Sequence, residues 1–353
     1  MTENSNGNGK SRRTFLKEVA AYSGGIAIAG YATGFSAPLA FAGKAADVST
    51  AKWAKQAGLE LFTVRDVMTD PKTYVSTLEQ VAAIGYKEVE PAGGYAGMGP
   101  KDFRALLDRL GLSMPSTHSG ATEGPDLEKT LEGYQIMGIK YVEISAPRAP
   151  RPAAAPAAAT APATAAPGRG GPYGNGPVRE VPPVTLESVK RSAAQDNEHG
   201  KIAQKFGMKI LIHNHTQEFA PIADSPTMRP YDVLLAETDP NLVAMQMDIG
   251  WASVAGQDIL AMFKKNPGRY ELWHVKDASG MPHMNPQMTM AERMTAADLQ
   301  PVGMGVIDYK TIFENAELAG MKHYCVEQDN ANSWGDSLAA ARISYTNLVK
   351  ILA

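Results

Sequence analysis

Lys209-Ile210-Leu211-Ile212-His213-Asn214-His215-Thr216-Gln217-Glu218-Phe219 sets an apolar run directly against two histidines, an asparagine and a glutamate. A short apolar run after a helix-like segment reads as a parallel strand buried on both faces. The polar cluster then sits at the strand's C-terminal tip. Similar endings recur in Met245-Gln246-Met247-Asp248, Leu272-Trp273-His274-Val275-Lys276-Asp277 and Tyr324-Cys325-Val326-Glu327. Each is an apolar strand that closes on a side chain able to bind a metal.

Working outward, strands are expected at 58–64, 87–90, 113–118, 140–145, 209–215, 242–248, 271–277 and 323–328. Between them lie helical patterns at 71–84, 100–110, 127–137, 186–206, 231–237, about 257–265, 309–318 and 337–352. Gly85, Gly111, Gly138, Gly207 and Gly320 stand where those helices should stop. Eight strand–helix units predict an α/β fold of the (β/α)8 barrel type, with its active site at the C-terminal ends of the strands. The competing open doubly wound sheet would want a glycine-rich phosphate loop after the first strand. Thr63-Val64-Arg65-Asp66-Val67 is not one.

Two segments stand apart. Ser11-Arg12-Arg13-Thr14-Phe15-Leu16-Lys17 is followed by a Gly/Ala-rich, weakly apolar stretch and by Ala40-Phe41-Ala42. The ordered set resembles a twin-arginine export signal, cut after about residue 42, which implies a periplasmic protein folded before it crosses. An anchor that is never cut is the alternative reading. Residues 147–183 are dominated by Ala, Pro and Gly and cannot bury a core, so they read as a disordered insertion in one loop of a single barrel domain spanning 43–353.

The chain has 353 residues and a net charge of -3 without a long basic run, which argues against a nucleic-acid surface. The single cysteine, Cys325, excludes an intramolecular disulfide and reads as a small core residue.

Taken as ligands, Glu218, Asp248, His274 and Glu327 supply three carboxylates and an imidazole. That set suits one divalent cation, with Mn²⁺ foremost and Mg²⁺, Co²⁺ or Zn²⁺ as alternatives. Three converging carboxylates would repel one another without it. Glu90, His118, His213, His215 and Lys276 are expected to contact substrate. Asp277 is expected either to pair with Lys276 on the rim or to leave it free for a substrate oxygen. The Met-rich loop 281–304 is expected to cover the site.

The segment His213-Asn214-His215…Glu218, with Asp248, His274-Val275-Lys276-Asp277 and Glu327, resembles the sugar phosphate isomerase/epimerase family of the xylose-isomerase-like barrel superfamily, over roughly 55–352. The resemblance implies a Glu–Asp–His–Glu metal set on strands five to eight. It carries over directly to Asp248, His274 and Glu327. At the tip of strand five this chain has His213, so the ligand there is Glu218 or one of the histidines, His213 or His215. Glu327 and Glu218 are the expected catalytic residues. The implied activity is isomerisation or epimerisation of an unphosphorylated sugar or keto-sugar, by proton abstraction and an enediolate that the metal stabilises. A lyase or hydratase acting on a 3-keto-glycoside through the same intermediate is one alternative. A non-catalytic sugar-binding barrel is another. The expected partner is a small-molecule sugar, with no nucleic acid and no membrane insertion after the leader is cut; a homo-oligomer is compatible with the sequence.

Overall fold

The computed structural model describes residues 50–145, 183–281 and 287–353. The leader at 1–42 and nearly all of the insertion at 147–183 lie outside the described residues.

Eight strands are hydrogen-bonded in one parallel sheet. They are β1 (Gly58–Glu60), β2 (Glu88–Glu90), β3 (Ser116–Thr122), β4 (Tyr141–Ser145), β5 (Lys209–His213), β6 (Val243–Asp248), β7 (Leu272–Val275) and β10 (His323–Val326). Their order is β2-β1-β10-β7-β6-β5-β4-β3. The seam between β2 and β3 is narrowed by a parallel bridge from Glu88 to Ser113 and by the His118 N–H donating to Pro91 O at 2.9 Å. The result is a nearly closed barrel of the expected class, with β8 (Asp277–Ala278) and β9 (Leu299–Gln300) forming a small antiparallel pair above it.

Local chemistry explains the helices. Asp70 accepts from the N–H groups of Lys72 and Thr73, Pro71 fills the first turn, and the helix Pro71–Ile84 ends at Gly85 with φ 127°. Thr185 and Ser188 form a reciprocal cap that starts Leu186–Gln204. The helices bury one face against the strands. Trp273 of β7 stacks on Phe263 at 5.1 Å and meets Phe313 edge-on at 5.3 Å. Phe313 in turn packs on Tyr324 of β10 at 4.9 Å. Trp273 is therefore outer-layer packing. No helix among the described residues is long and apolar enough to cross a membrane.

Several expected boundaries move. β1 stops at Glu60 because its carboxylate accepts the Phe62 N–H at 2.8 Å and starts a 3-10 turn over Leu61–Val67. β3 begins at Ser116, not 113, since Pro115 has no N–H for the ladder. The single expected helix at 309–318 is two, Tyr309–Glu314 and Ala316–Ala319. The loop at 278–306 contains a capped helix, Met290–Ala296, and β9.

Alternation along the strands sorts the barrel interior into layers. Tyr141, Leu211, Ala244 and Leu272 form an apolar layer in the barrel. Two residues further along β4, β5, β6 and β7 stand Glu143, His213, Gln246 and His274. That step carries the interior from hydrocarbon to ionisable groups.

Candidate metal and catalytic centre

Asp248 ends β6 and caps the helix Ile249–Val254, its Oδ1 accepting the Trp251 N–H at 2.7 Å. Its main-chain N–H is held by Asn214 Oδ1 at 3.0 Å, so the strand-five tip positions the strand-six ligand. Gly250 lets that turn pass β7: a Cβ there would lie 2.5 Å from Lys276 Cβ. His274 and Glu327 come from the neighbouring strand ends. One ligand atom from each of Asp248, His274 and Glu327 lies within 4.8 Å of the other two, and all three residues are buried.

The orientation of these atoms is informative. His274 Nδ1 is 2.8 Å from Glu327 Oε2 and 3.8 Å from Asp248 Oδ2. Neither His274 Nδ1 nor Asp248 Oδ2 has a partner in hydrogen-bond alignment; His274 Nδ1 meets Glu327 Oε2 and Asp248 Oδ2 meets Lys276 Nζ, at 3.2 Å, as ion pairs. Both atoms belong to the same converging trio, and a divalent ion held by Asp248, His274 and Glu327 would be a common partner for them. The donor set thus fits a mixed N/O cation.

A second layer of contacts surrounds His274. Its Nε2 is 2.9 Å from Glu90 Oε1, and His118 Nε2 lies 2.7 Å from the same oxygen. Ser116 Oγ donates to Glu90 Oε2. Gln246 donates to Glu90 through Nε2 at 2.8 Å, while its Oε1 lies 2.7 Å from His118 Nε2 and 3.1 Å from His213 Nδ1. His118, His213 and His274 form a second group able to hold an ion, sharing His274 with the first. Lys276 is fully buried, with Nζ 2.7 Å from Asp329, 2.9 Å from Glu327 and 3.2 Å from Asp248. It therefore turns away from Asp277. That carboxylate instead accepts backbone N–H groups from Ala278, Gly303, Gly305 and Ile307 and fixes the loop above the barrel.

Burial and neighbours pull the ionisable groups apart. Burial opposes ionisation of Glu90 and Glu327. It is outweighed by His118 and His274 at Glu90, and by Lys276 and His274 at Glu327, so both carboxyls sit well below the usual range. Burial pushes Glu60 up to about 8, with Glu327 adding to it, and Asp248 up to about 6. Burial disfavours His274 as a cation, but Glu90 and Glu327 raise it to about 10. Burial and the neighbouring imidazolium of His274 hold His213 well below its ordinary value, and burial with Lys276 brings His215 down to about 4. Neutral imidazoles thus stand beside charged ones.

The structure brings together Glu90, His118, His213, Asp248, His274, Lys276 and Glu327. His215 is near, its ring 4.8 Å from that of His213. Glu218 is not brought in. After His213 the chain leaves β5 for a one-turn 3-10 helix, Gln217–Phe219, and Glu218 Oε2 accepts the His215 N–H at 2.7 Å. Neither ligand group among the described residues contains it. The carboxylate expected as fourth ligand thus shapes the turn, and the imidazole of His213 takes the tip. Four further groups were not singled out from sequence: Glu60, Glu143, Gln246 and Asp329. Gln246 and Glu143 were within reach, because each shares the inward period of its strand. Glu60 was hidden inside a strand drawn four residues too long.

Residues 78–344 match the family described as the xylose isomerase-like TIM barrel. An inosose dehydratase of Geobacillus thermodenitrificans is 30% identical over 141 residues, covering 38% of this chain and 46% of that protein. The chain spans about half the length of the curated relatives it matches. Among solved structures, a sugar phosphate isomerase/epimerase from Parabacteroides distasonis superposes with a TM-score of 0.58 at 19% identity, covering 84% of this chain and 98% of that one. A xylose isomerase-like TIM barrel protein from Mycobacterium smegmatis in complex with magnesium gives 0.50 at 16% identity, covering 86% and 99%. With three quarters of its length inside the matched region and eight parallel strands in the matching arrangement, the chain belongs to the xylose isomerase-like TIM barrel family.

Proposed function

We propose that the protein is a divalent-metal-dependent enzyme that removes a proton beside the carbonyl of an unphosphorylated keto-sugar or related polyhydroxy ketone. The enediolate then loses a β-hydroxyl or other β-leaving group. One observation carries the reading: buried ligand atoms of Asp248, His274 and Glu327 converge within 4.8 Å of one another at the strand ends, with further imidazoles beside them.

Asp248, His274 and Glu327 would hold the cation, and His213 is placed to complete the set, its Nε2 4.0 Å from Asp248 Oδ2. A bound divalent ion would supply Lewis acidity toward the substrate's carbonyl oxygen. The remaining roles fall to this chain's own side chains. His215, held neutral, can accept the carbon-bound proton. His118, kept protonated by Glu90 against the cost of its burial, can deliver a proton to a departing hydroxyl. The Lys276 ammonium stabilises negative charge as it builds on oxygen. Gln246 and Ser116 fix Glu90, and through it the orientation of His118 and His274.

Loss of water is placed first because the inosose dehydratase relatives share that chemistry. Isomerisation or epimerisation is the second reading. It would use the same groups, with the proton taken by neutral His215 and returned by protonated His118. We also propose export by the twin-arginine route, for which Ser11-Arg12-Arg13 and Ala40-Phe41-Ala42 are the support.

The test is metal analysis of the purified protein, followed by incubation of Mn²⁺-loaded enzyme with a panel of keto-sugars, inososes and 3-keto-glycosides in D₂O. Deuterium at carbon in recovered substrate or product, lost in Asp248→Asn, is the expected result. An alkene or its ketone tautomer in the product identifies elimination. Absence of exchange with every compound would overturn the reading.

A further inference from the structure

A cavity of about 420 Å³ is built by the segments that follow β1 and β2. Its lining includes Leu61 and Ala92, which stand one and two residues after the buried carboxylates Glu60 and Glu90, so it lies at the C-terminal strand ends, on the same face of the barrel as the centre. A volume of this size lies in the range that holds a small organic ligand, ~300–1,000 Å³.

Two features give it a chemical character. On one wall the Arg65 guanidinium lies over the Phe62 ring, 3.7 Å from its centroid. It is held there by donating to Phe62 O at 2.6 Å and Asp329 O at 2.9 Å. Arg65 is only partly buried, so the pair offers a flat cationic surface, with Met68 and Tyr74 beside it. A planar guanidinium on an aromatic ring favours a further flat, electron-rich group.

The facing wall is Ala92-Gly93-Gly94 with Gly97. Gly97 has φ 71°, a conformation that explains its glycine. Gly93 and Gly94 have no such reason: neither lies in the left-handed region, and a Cβ added to either would meet nothing within 4 Å. Neither backbone strain nor packing requires glycine there. The segment is also anchored. Ser119 Oγ donates to Gly93 O, the Tyr95 hydroxyl lies 3.1 Å from Thr117 Oγ1, and the Tyr95 ring packs edge-on against Phe103 at 5.2 Å. A fixed wall kept bare of side chains next to a fixed flat cation leaves room for a slab-shaped group.

We infer that this cavity is a subsite for an aromatic aglycone, so that the substrate is an aryl glycoside derivative whose sugar ring sits at the Asp248–His274–Glu327 centre. The inference rests on the proposed sugar chemistry and narrows it. A second sugar ring would want free hydrogen-bonding side chains, but of the charged groups lining the cavity Asp70 already accepts from the Lys72 and Thr73 N–H groups and Arg65 donates to Phe62 O and Asp329 O, beside Leu61, Phe62, Met68 and bare backbone.

Calorimetric binding to the full chain tests it, with matched methyl and phenyl glycosides (both anomers of glucose, galactose and xylose) and the corresponding disaccharides. The phenyl glycoside of the preferred sugar should bind at least ~10-fold more tightly than the methyl glycoside, as expected for burying one ring. Gly93→Leu and Gly94→Leu should erase that preference while leaving methyl glycoside affinity within ~2-fold; far-ultraviolet spectra and melting curves check that both variants fold. Equal binding of methyl and phenyl glycosides by the wild-type protein overturns the subsite and leaves the sugar chemistry standing. A gain with disaccharides but not with phenyl glycosides overturns the aromatic assignment. A phenyl preference that survives both leucine variants places the ring elsewhere and also overturns it. If no glycoside binds and no keto-sugar exchanges its proton, the parent reading falls and takes the subsite with it.

Discussion

The two ends of this barrel both carry ionisable groups, and they treat them in opposite ways. At the N-terminal end Glu271 accepts from Lys209 Nζ at 2.5 Å, Lys322 Nζ at 2.8 Å and the Tyr141 hydroxyl at 2.8 Å. His323 Nδ1 is 2.9 Å from Glu88 beside it. Acids and bases balance there, and every oxygen of Glu271 is used. At the C-terminal end Glu60, Glu90, Asp248, Glu327 and Asp329 crowd around Lys276, His118 and His274, and two buried ligand atoms have no hydrogen-bond partner. A network that is complete holds the fold. One that a cation would complete has the character of a binding site, in line with the proposed metal centre.

The largest separation between the ends should appear on cutting one group from each. Asp248→Asn or Glu327→Gln is expected to lose at least ~100-fold in turnover, through loss of the ion and its electrostatic stabilisation. In metal-free protein Asp248→Asn should melt at or above the wild-type temperature, because burial opposes the charge of Asp248, whereas Glu327→Gln should melt lower, because it takes a partner from Lys276 and His274. A fall of several degrees in Asp248→Asn would show that this carboxylate serves the fold and would erase the contrast. Glu271→Ala should do the reverse. It strands Lys209, Lys322 and the Tyr141 hydroxyl, a loss of about 2–3 kcal/mol, while turnover of the folded protein stays within ~2-fold.

Metal titration sharpens the contrast next. Saturating Mn²⁺ is expected to raise the melting temperature of wild type and of Glu271→Ala by similar amounts, on the order of 5 °C at about 100 times Kd. Asp248→Asn should gain little. The gain should grow between pH 5 and 8, since Asp248 is pushed up to about 6 and must ionise, and His274, drawn up to about 10 by Glu90 and Glu327 against its burial, must surrender its proton to act as a ligand. Equal gains at both pH extremes would remove these groups from the site.

The contrast also explains what could be read in the sequence. Apolar runs ending in Asp248, His274 and Glu327 are local signals, and hydrophobic periodicity places them on barrel strands before any contact is known. The N-terminal plug had no such signal: Lys209, Glu271 and His323 look like ordinary solvated strand starts, and only closure of the barrel turns them toward each other. Glu218 is a different case: sequence spacing puts it near the tip, but the 3-10 turn after Thr216 directs its carboxylate, which accepts the His215 N–H. Gln246 was passed over because an amide seems inert beside acids and histidines. In place it contacts Glu90, His118 and His213 at hydrogen-bond distance.

The smallest effect is the most direct comparison, since it asks both ends the same question with protons. Burial opposes ionisation of Glu271, but Lys209, Lys322 and Tyr141 prevail and lower it. An acid lowered on folding adds stability above its ordinary range, near 4.3, and loses that stability as pH falls through the folded value. Glu60 is raised to about 8, chiefly by burial and then by Glu327. Its sign is opposite: the folded state holds the proton more tightly, so metal-free protein should lose stability as pH rises from the ordinary carboxylate range toward 8. Glu271→Gln should therefore flatten the acid limb of the stability curve, and Glu60→Gln the limb between about 4.5 and 8, each by a few degrees in melting temperature. The wild-type and Glu60→Gln curves should meet near pH 4 and diverge upward, with the variant higher. If they diverge downward instead, Glu60 is ionised and paired in the folded protein, and the C-terminal end is more completely compensated than its crowded carboxylates indicate.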